Sequence, residues 1–214
     1  MLDARAMRTQ GGNPQVVPAN ALAETLAEEW RAQGETIDPA AFPMRDMVDY
    51  AIDRVRPDPA AAVSAILPYG DTDTLCYRAE EGDSLRQRQD EAWDPILAAL
   101  ETRHGVRFAR ASGVLHAPQP EGTLAGMRRH LETLDPFTLT AVQNMASIAG
   151  SLCIALAALE QDADIDAIFA AGNLEEDWQA VQWGWDGDAL ARRDTRLAAF
   201  RLAARLGAMV AASR

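Results

Sequence analysis

Asp135-Pro-Phe-Thr-Leu-Thr-Ala-Val-Gln-Asn-Met-Ala-Ser-Ile-Ala-Gly-Ser-Leu-Cys-Ile-Ala-Leu-Ala-Ala-Leu159 is the stretch on which the reading of the chain turns. From Phe137 to Leu159 no side chain is charged, and the run is long enough to cross a bilayer. Yet Thr138, Thr140, Gln143, Asn144, Ser147 and Ser151 interrupt it, and its apolar positions are largely alanine. A helix buried at the centre of a bundle fits that mixture better than a membrane span. Asp135 and Pro136 form a cap and a first helical residue. Ala146, Gly150, Ser151 and Ala155 keep one side small, so that another backbone can come close, while Leu152, Ile154, Leu156 and Leu159 fill the rest. One long central helix is therefore expected, in a soluble protein without membrane insertion.

Downstream the chain reads as helical to its end. Asp164 to Ala171 makes a short helix stopped by Gly172. Asn173 to Trp183 follows, with Asn173 as cap, Glu176 completing a capping box and Gly184 at the end. Asp188 is placed to cap a last helix to about Ala212. Upstream, Gly122 to Leu134 is helical, and before it the chain gains β character. Leu2–Thr9 and Gln15–Val17 flank the turn cluster Gly11-Gly12-Asn13-Pro14, a hairpin pattern. Asn20 is expected to cap a helix that carries Leu22, Leu26 and Trp30 on one face, ended by Gly34.

Residues 36–43 read as loop, and a helix from about Arg45 to Val55 stops before Pro57 and Pro59. Ala60 to Leu67 is a further short helix. Strands are expected within 72–79 and 106–115. Between them, Ser84 and Gln87 open a helix that should halt before Pro95, with Asp94 capping a fresh one to Gly105. The fold class is thus α+β: a small β-containing N-terminal domain, 1–57, followed by a mostly α-helical C-terminal domain, 58–214, with no linker between them.

Thirty-two acids against 20 basic residues, all of them arginine, leave a net charge of −12. That balance disfavours nucleic acid, whose binding rests on neutralised phosphates. The charge is also segregated. Glu160 to Asp188 holds acids and no base, whereas Ala189 to Arg214 holds six arginines and one acid. The two stretches either attract each other as solvated helix faces or offer an acidic docking surface. Cys76 and Cys153, far apart and outside any CxxC, suit a reducing compartment and burial.

No catalytic constellation emerges. Without lysine there is no Schiff-base or phosphate-loop lysine, and neither GxxxxGK[ST], GxGxxG nor GxSxG occurs. His104, His116 and His130 fall in different elements at no metal-ligand spacing. His104, in a last helical turn, is placed where a cation suits the helix dipole. Asp162, Asp164 and Asp166 resemble the start of a calcium loop but lack its later glycine and glutamate. No catalytic residue, metal, cofactor or small-molecule substrate is expected.

One segment stands out: Asn173-Leu-Glu-Glu-Asp-Trp-Gln-Ala-Val-Gln-Trp-Gly-Trp-Asp186. Three of five tryptophans fall beside three consecutive acids. On a helix, Trp178, Val181 and Trp185 share one side, and Glu176, Gln179 and Trp183 another. The acids suit a helix start, but the neighbouring Trp183 and Trp185 have no such local reason. Tryptophan is common both in cores and at binding hot spots, so the residues alone leave core and surface open.

Several strings, in order along nearly the whole chain, resemble the assembly chaperones of the F-type ATP synthase that bind its alpha subunit in mitochondria and α-proteobacteria. They include Leu2-Asp-Ala-Arg5, Gly12-Asn-Pro14, Gln33-Gly34, Ile37-Asp-Pro39, Ala51-Ile-Asp-Arg54, Leu75-Cys-Tyr-Arg-Ala79, Ala92-Trp-Asp-Pro95, Gly150-Ser-Leu152 and Leu174-Glu-Glu with Trp178-Gln179 and Trp183-Gly184. The resemblance implies a β-containing N-terminal part, a helical C-terminal part and no enzymatic activity. It also implies a protein client, the free alpha subunit, held until the beta subunit replaces it. It places function on the acid at the start of the Trp-containing helix, here Glu175 or Glu176, and a cytoplasmic location in bacteria or the mitochondrial matrix in eukaryotes. The expected partner-binding residues are Glu175, Glu176, Trp178, Gln179, Trp183 and Asp186. Asp186-Gly-Asp188 matches the family only loosely, and relatives usually carry more sequence before Leu2. A small hydrolase using Tyr69, Asp71 and Asp73, or a passive adaptor, are the alternatives.

Overall fold

The computed structural model describes residues 6–113 and 115–213. The expected first strand falls partly outside them, at Leu2–Arg5, as does Val114 of the expected strand 106–115. The hairpin itself forms. Thr9 N–H donates to Asn13 O at 2.9 Å and Gln15 N–H to Met7 O at 3.0 Å, around one antiparallel bridge between Arg8 and Pro14. Pro14 has no N–H to give a ladder, so the pairing stops at that bridge among the described residues.

Helix α1 (Asn20–Arg31) buries Leu22, Thr25 and Leu26. Asn20 is its first residue and not its cap: Ala19 occupies that place with no side-chain bond. A 3-10 turn at Pro39–Ala41, capped by Asp38, leads into α2 (Pro43–Tyr50), which continues as a π-helical turn through Ala51–Val55. This stretch clamps the hairpin with carboxylates. Asp49 accepts from Gln10 N–H at 3.0 Å and the Gln15 amide at 2.7 Å. Asp53 accepts from Thr9 Oγ at 2.7 Å, Gly11 N–H at 2.8 Å and the Asn13 amide at 2.8 Å. A Cβ at Gly11 would lie 2.6 Å from Asp53 Oδ2, so a larger residue there would displace the carboxylate from these bonds.

The Asn13 amide first, helped by Thr9 and Gly11, holds the Asp53 carboxyl below its ordinary value, partly opposed by desolvation. A depressed folded value means a contribution present above the unfolded carboxylate pKa of about 3.9 and lost as pH falls through the folded one. Amide exchange at Gly11 is therefore expected to lose protection on acidification below that value. Asp53→Ala should remove the same protection at neutral pH while leaving α1 amides unchanged.

Short helices α3 (Pro59–Ile66) and α4 (Pro68–Asp71) lead to a 3-10 turn at Thr74–Cys76 and strand β1 (Tyr77–Arg78). Helix α5 (Ser84–His104) follows, then β2 (Ala111–Ser112), which pairs parallel with β1 as Tyr77↔Ala111 and Arg78↔Ser112. The expected strands 72–79 and 106–115 thus shrink to two residues each. The α5 cap is Asp83, which accepts from Leu85 N–H, and not Ser84. Nor does α5 break before Pro95. Gln89, Trp93, Leu97 and Leu100 are buried on both sides of the proline, and their burial offsets the roughly 3 kcal/mol that an interior proline costs. Asp94, expected as a cap, instead receives Arg78 Nη2 at 2.8 Å.

Helix α6 (Glu121–Leu131) precedes the central run, which is two helices: α7 (Pro136–Ala149) and α8 (Leu152–Ala157). Asp135 caps α7 as expected, accepting from Phe137 and Thr138 N–H. The single helix expected to Leu159 breaks because Gly150 takes a left-handed φ of 62° and Ser151 caps α8. The small residues Gly150 and Ser151 serve this joint, and not one continuous smooth face. The second half, α8, is wholly buried, whereas α7 is buried except on the side of the polar Gln143, Asn144 and Ser147, which line a surface cleft.

Helices α9 (Ile165–Gly172), α10 (Leu174–Trp183) and α11 (Gly187–Ala211) complete the chain. Asp186, and not Asp188, caps α11 through Ala189 N–H. The longest helix, α11, packs along α7, α9 and α1. One buried apolar cluster takes in Leu22, Val48 and Val55 as well as Trp93, Val142, Ile154 and Phe200. Among the described residues no helix is long and apolar enough to cross a membrane. Cys76 and Cys153 are free and buried; burial raises the Cys76 thiol to about 12 and pushes Cys153 up as well.

Candidate partner-binding site

The segregated charge of the C-terminal third pairs internally. Arg193 grips Asp177 through Nε at 2.7 Å and Nη2 at 2.6 Å. Arg196 reaches Glu176 at 2.7 Å, and Arg201 pairs with Asp166. These contacts tie α10 and α9 to α11. The predicted partner-binding acids therefore carry internal duties too. Glu175 accepts from Gln89 Nε2 at 2.6 Å, and Gln89 is fully buried in α5. Burial in that contact raises the Glu175 carboxyl, partly opposed by the Gln89 bond. Asp186 is a helix cap.

Asn173 occupies the N-cap position of α10 as expected but makes no side-chain capping bond, and its Nδ2 donates to Asp177 at 2.8 Å. The capping box with Glu176 is absent because α9 runs into α10 with a near-helical Asn173, at ψ 11°. Gly184, with φ 94°, ends α10. Trp185 consequently leaves the helix and does not share a side with Trp178 and Val181. It lies 5.9 Å from the Arg193 guanidinium instead.

The tryptophans divide. Trp93 is fully buried. Trp178 is half-buried beneath Arg88, 4.9 Å from ring centre to guanidinium, beside Leu174 and Val181. Trp183 is 83% exposed and Trp185 43%, with Val181 at 71% and Leu190 at 44%. Gln179 is exposed beside them. Trp183 and Trp185 line one cleft at the α10–α11 turn, and Val181 lines another with Trp178; exposed apolar side chains of this size are common at contact surfaces. Sequence reasoning missed Leu190, exposed in the first turn of α11; its signal is weak, one leucine ahead of an arginine-rich stretch.

The other candidate groups fall elsewhere. Asp73 is fully buried, accepting from Leu75 N–H, Ser151 Oγ and Cys153 N–H, which makes it a structural carboxylate. Asp71 accepts weakly from Gln119 N–H at 3.4 Å. His104 and His130, separate in sequence, pack against each other with ring centres 4.3 Å apart and planes tilted by 48°. Burial first, then neighbouring charge, holds both below the usual imidazole range, so His104 favours the neutral form and not a dipole-bound cation. Among the described residues no three His, Cys, Asp or Glu side chains are grouped to hold a metal ion.

A family model described as ATP12 chaperone protein matches residues 1–101. The chain is 26% identical to the mitochondrial protein atp12 of Schizosaccharomyces pombe, over 88% of this chain and 69% of the relative. Against the crystal structure of Atp12 from Paracoccus denitrificans it superposes with a TM-score of 0.91 at 36% identity, covering 98% of this chain and 90% of that one. A protein of Agrobacterium tumefaciens gives a TM-score of 0.90 at 38% identity, covering 97% and 78%. At that identity, over nearly the full length, this chain belongs to the ATP12 chaperone family, the ATP synthase assembly chaperones that its sequence resembles.

Proposed function

We propose that this chaperone holds the free alpha subunit of the F-type ATP synthase, covering its exposed assembly surface until the beta subunit takes its place. The observation that carries this reading is the exposure of Trp183 and Trp185, which line one cleft at the α10–α11 turn, with Val181 and Leu190 also exposed on these two helices, in a chain of a chaperone family. A broad indole face excludes water over a large area at small entropic cost, which is why tryptophan dominates binding hot spots. Exchange needs only that the final interface be the more favourable one, so no catalytic step is required. The proposed setting is the bacterial cytoplasm.

Trp178, Gln179, Glu175, Glu176 and Asp186 complete the proposed surface. Glu175→Lys would disturb the Gln89 contact as well as any client, so it tests fold and binding together. Trp183 gives the cleaner test. Trp183→Ala is expected to weaken binding of purified alpha subunit by about 2 kcal/mol, roughly 30-fold. Its unfolding free energy should stay within about 0.5 kcal/mol of the parent, as for other surface changes. Titration calorimetry with isolated alpha and beta subunits checks both identity and magnitude. Unchanged alpha binding, or equal binding of beta, would overturn the reading.

A further inference from the structure

We infer that the imidazole pair His104–His130 is a proton-sensitive clasp, closed while both rings are neutral and opened in mild acid, when the end of α6 separates from the end of α5. Both histidines lie in the last turns of their helices, half-buried, with ring centres 4.3 Å apart. Around the pair the two elements are joined without slack. Met127 and Leu131 of α6 are fully buried in the core, and Thr123 Oγ donates to Arg107 O. A Cβ on Gly126 would lie 2.4 Å from Val106 Cγ1, so α6 rests directly on the segment that leaves α5. Surfaces packed this closely do not part by a small amount; they stay together or open.

The charge around the pair decides what a proton does there. The charged groups bearing on it are Arg103 from α5 and Glu160 from the segment after α8, and these two form an ion pair with each other. Glu160 is thus already answered, while Arg103 opposes protonation of both rings. Two imidazolium rings at this separation repel, and half-burial withholds the water that would screen them. The negative ends of the two helices favour a cation, but burial and the like charges outweigh them and hold both imidazoles below their usual range. Both rings therefore bind protons more weakly packed than opened. Their contribution is present above the ordinary imidazole value of about 6.5 and is lost as pH falls through the lowered ones. Acid favours the open state.

The test is NMR on the full, isotope-labelled chain. Titration of the histidine rings should place His104 and His130 below about 6.5. Amide protection at Met127 to Leu131, corrected for the intrinsic pH dependence of exchange, should fall roughly ten-fold between about pH 7.5 and about pH 5.5. Protection at Phe200 to Leu206, in the part of α11 that is buried, should change much less. His104→Gln removes one titrating ring and the mutual repulsion, and should shrink the fall at the end of α6 to about three-fold. His104→Gln combined with His130→Gln should abolish it, with circular dichroism showing a folded protein. If the double variant fails to fold, the single variant and the titrations of the parent decide. Either ring titrating at or above about 6.5 would overturn the clasp. So would an unchanged protection at the end of α6, a fall shared equally by α11, or a full fall in His104→Gln.

Discussion

Trp93→Ala is expected to lose about 3–5 kcal/mol of stability, measured by urea unfolding, which is a large part of the 5–15 kcal/mol typical of a folded domain. Trp93 is fully buried in α5, and Arg78 lies over its ring at 5.1 Å. Its Nε1–H donates to Ala171 O at 2.7 Å, near the end of α9. Removing it opens a cavity of indole size and strands a carbonyl at the joint from which α10 departs. Trp93→Phe keeps most of the ring and loses the donor, so about 1–3 kcal/mol is expected from it. The contrast with Trp183→Ala is the informative one. Truncating the buried indole should unfold the protein at lower urea, and truncating the exposed one should alter only client binding.

Asp73→Ala comes next, with an expected loss of about 3 kcal/mol or more. The carboxylate holds Leu75 N–H at 3.0 Å, Ser151 Oγ at 2.6 Å and Cys153 N–H at 2.9 Å, all in the interior. It welds the turn before β1 to the break between α7 and α8, where Thr74 N–H also reaches Gly150 O at 3.2 Å. Alanine would leave three buried donors unanswered. Ser151→Ala removes one of them and should cost about 1–2 kcal/mol by losing the α8 cap. Burial raises the Asp73 carboxyl, partly opposed by the bonds from Ser151, Cys153 and Leu75. With a raised folded value, its contribution is fullest below the unfolded pKa and declines as pH rises through the folded one. In Asp73→Ala that part of the pH dependence should disappear from the unfolding curves, although the protein is weaker throughout.

What was legible in the sequence was local. Asp135-Pro136, Asp164 and Gly105 mark helix ends through bonds made within a few residues, and each stands where expected. Pro95 was misread for the opposite reason. A proline weakens a helix locally, but whether the helix survives depends on Trp93 and Leu97 finding a core, and that core comes from residues distant in the chain. The same holds for Gly150 and Ser151. Their small size is visible, but the choice between a smooth face and a joint is made by Asp73, far upstream. Helix caps shifted by a residue or two, at Asp83 and Asp186, because neighbouring acids and serines compete for the same bond.

The candidate site shows the same division. The Trp–acid cluster of residues 173–186 was visible as a run of unusual composition, and the charge asymmetry between 160–188 and 189–214 was visible as a count. Which acids are spoken for was not. Asp177, Glu176 and Asp166 take arginines of α11, and Glu175 takes Gln89 of α5. By itself the sequence determined an acidic, mostly helical α+β chain without a catalytic motif, and a family, because composition, caps and ordered strings are properties of the chain alone. The tertiary structure decided that Trp93 is core, that Trp183 faces solvent and that Asn173 Oδ1 is buried without a donor. Those facts depend on which distant surfaces meet, and one-dimensional spacing does not encode that.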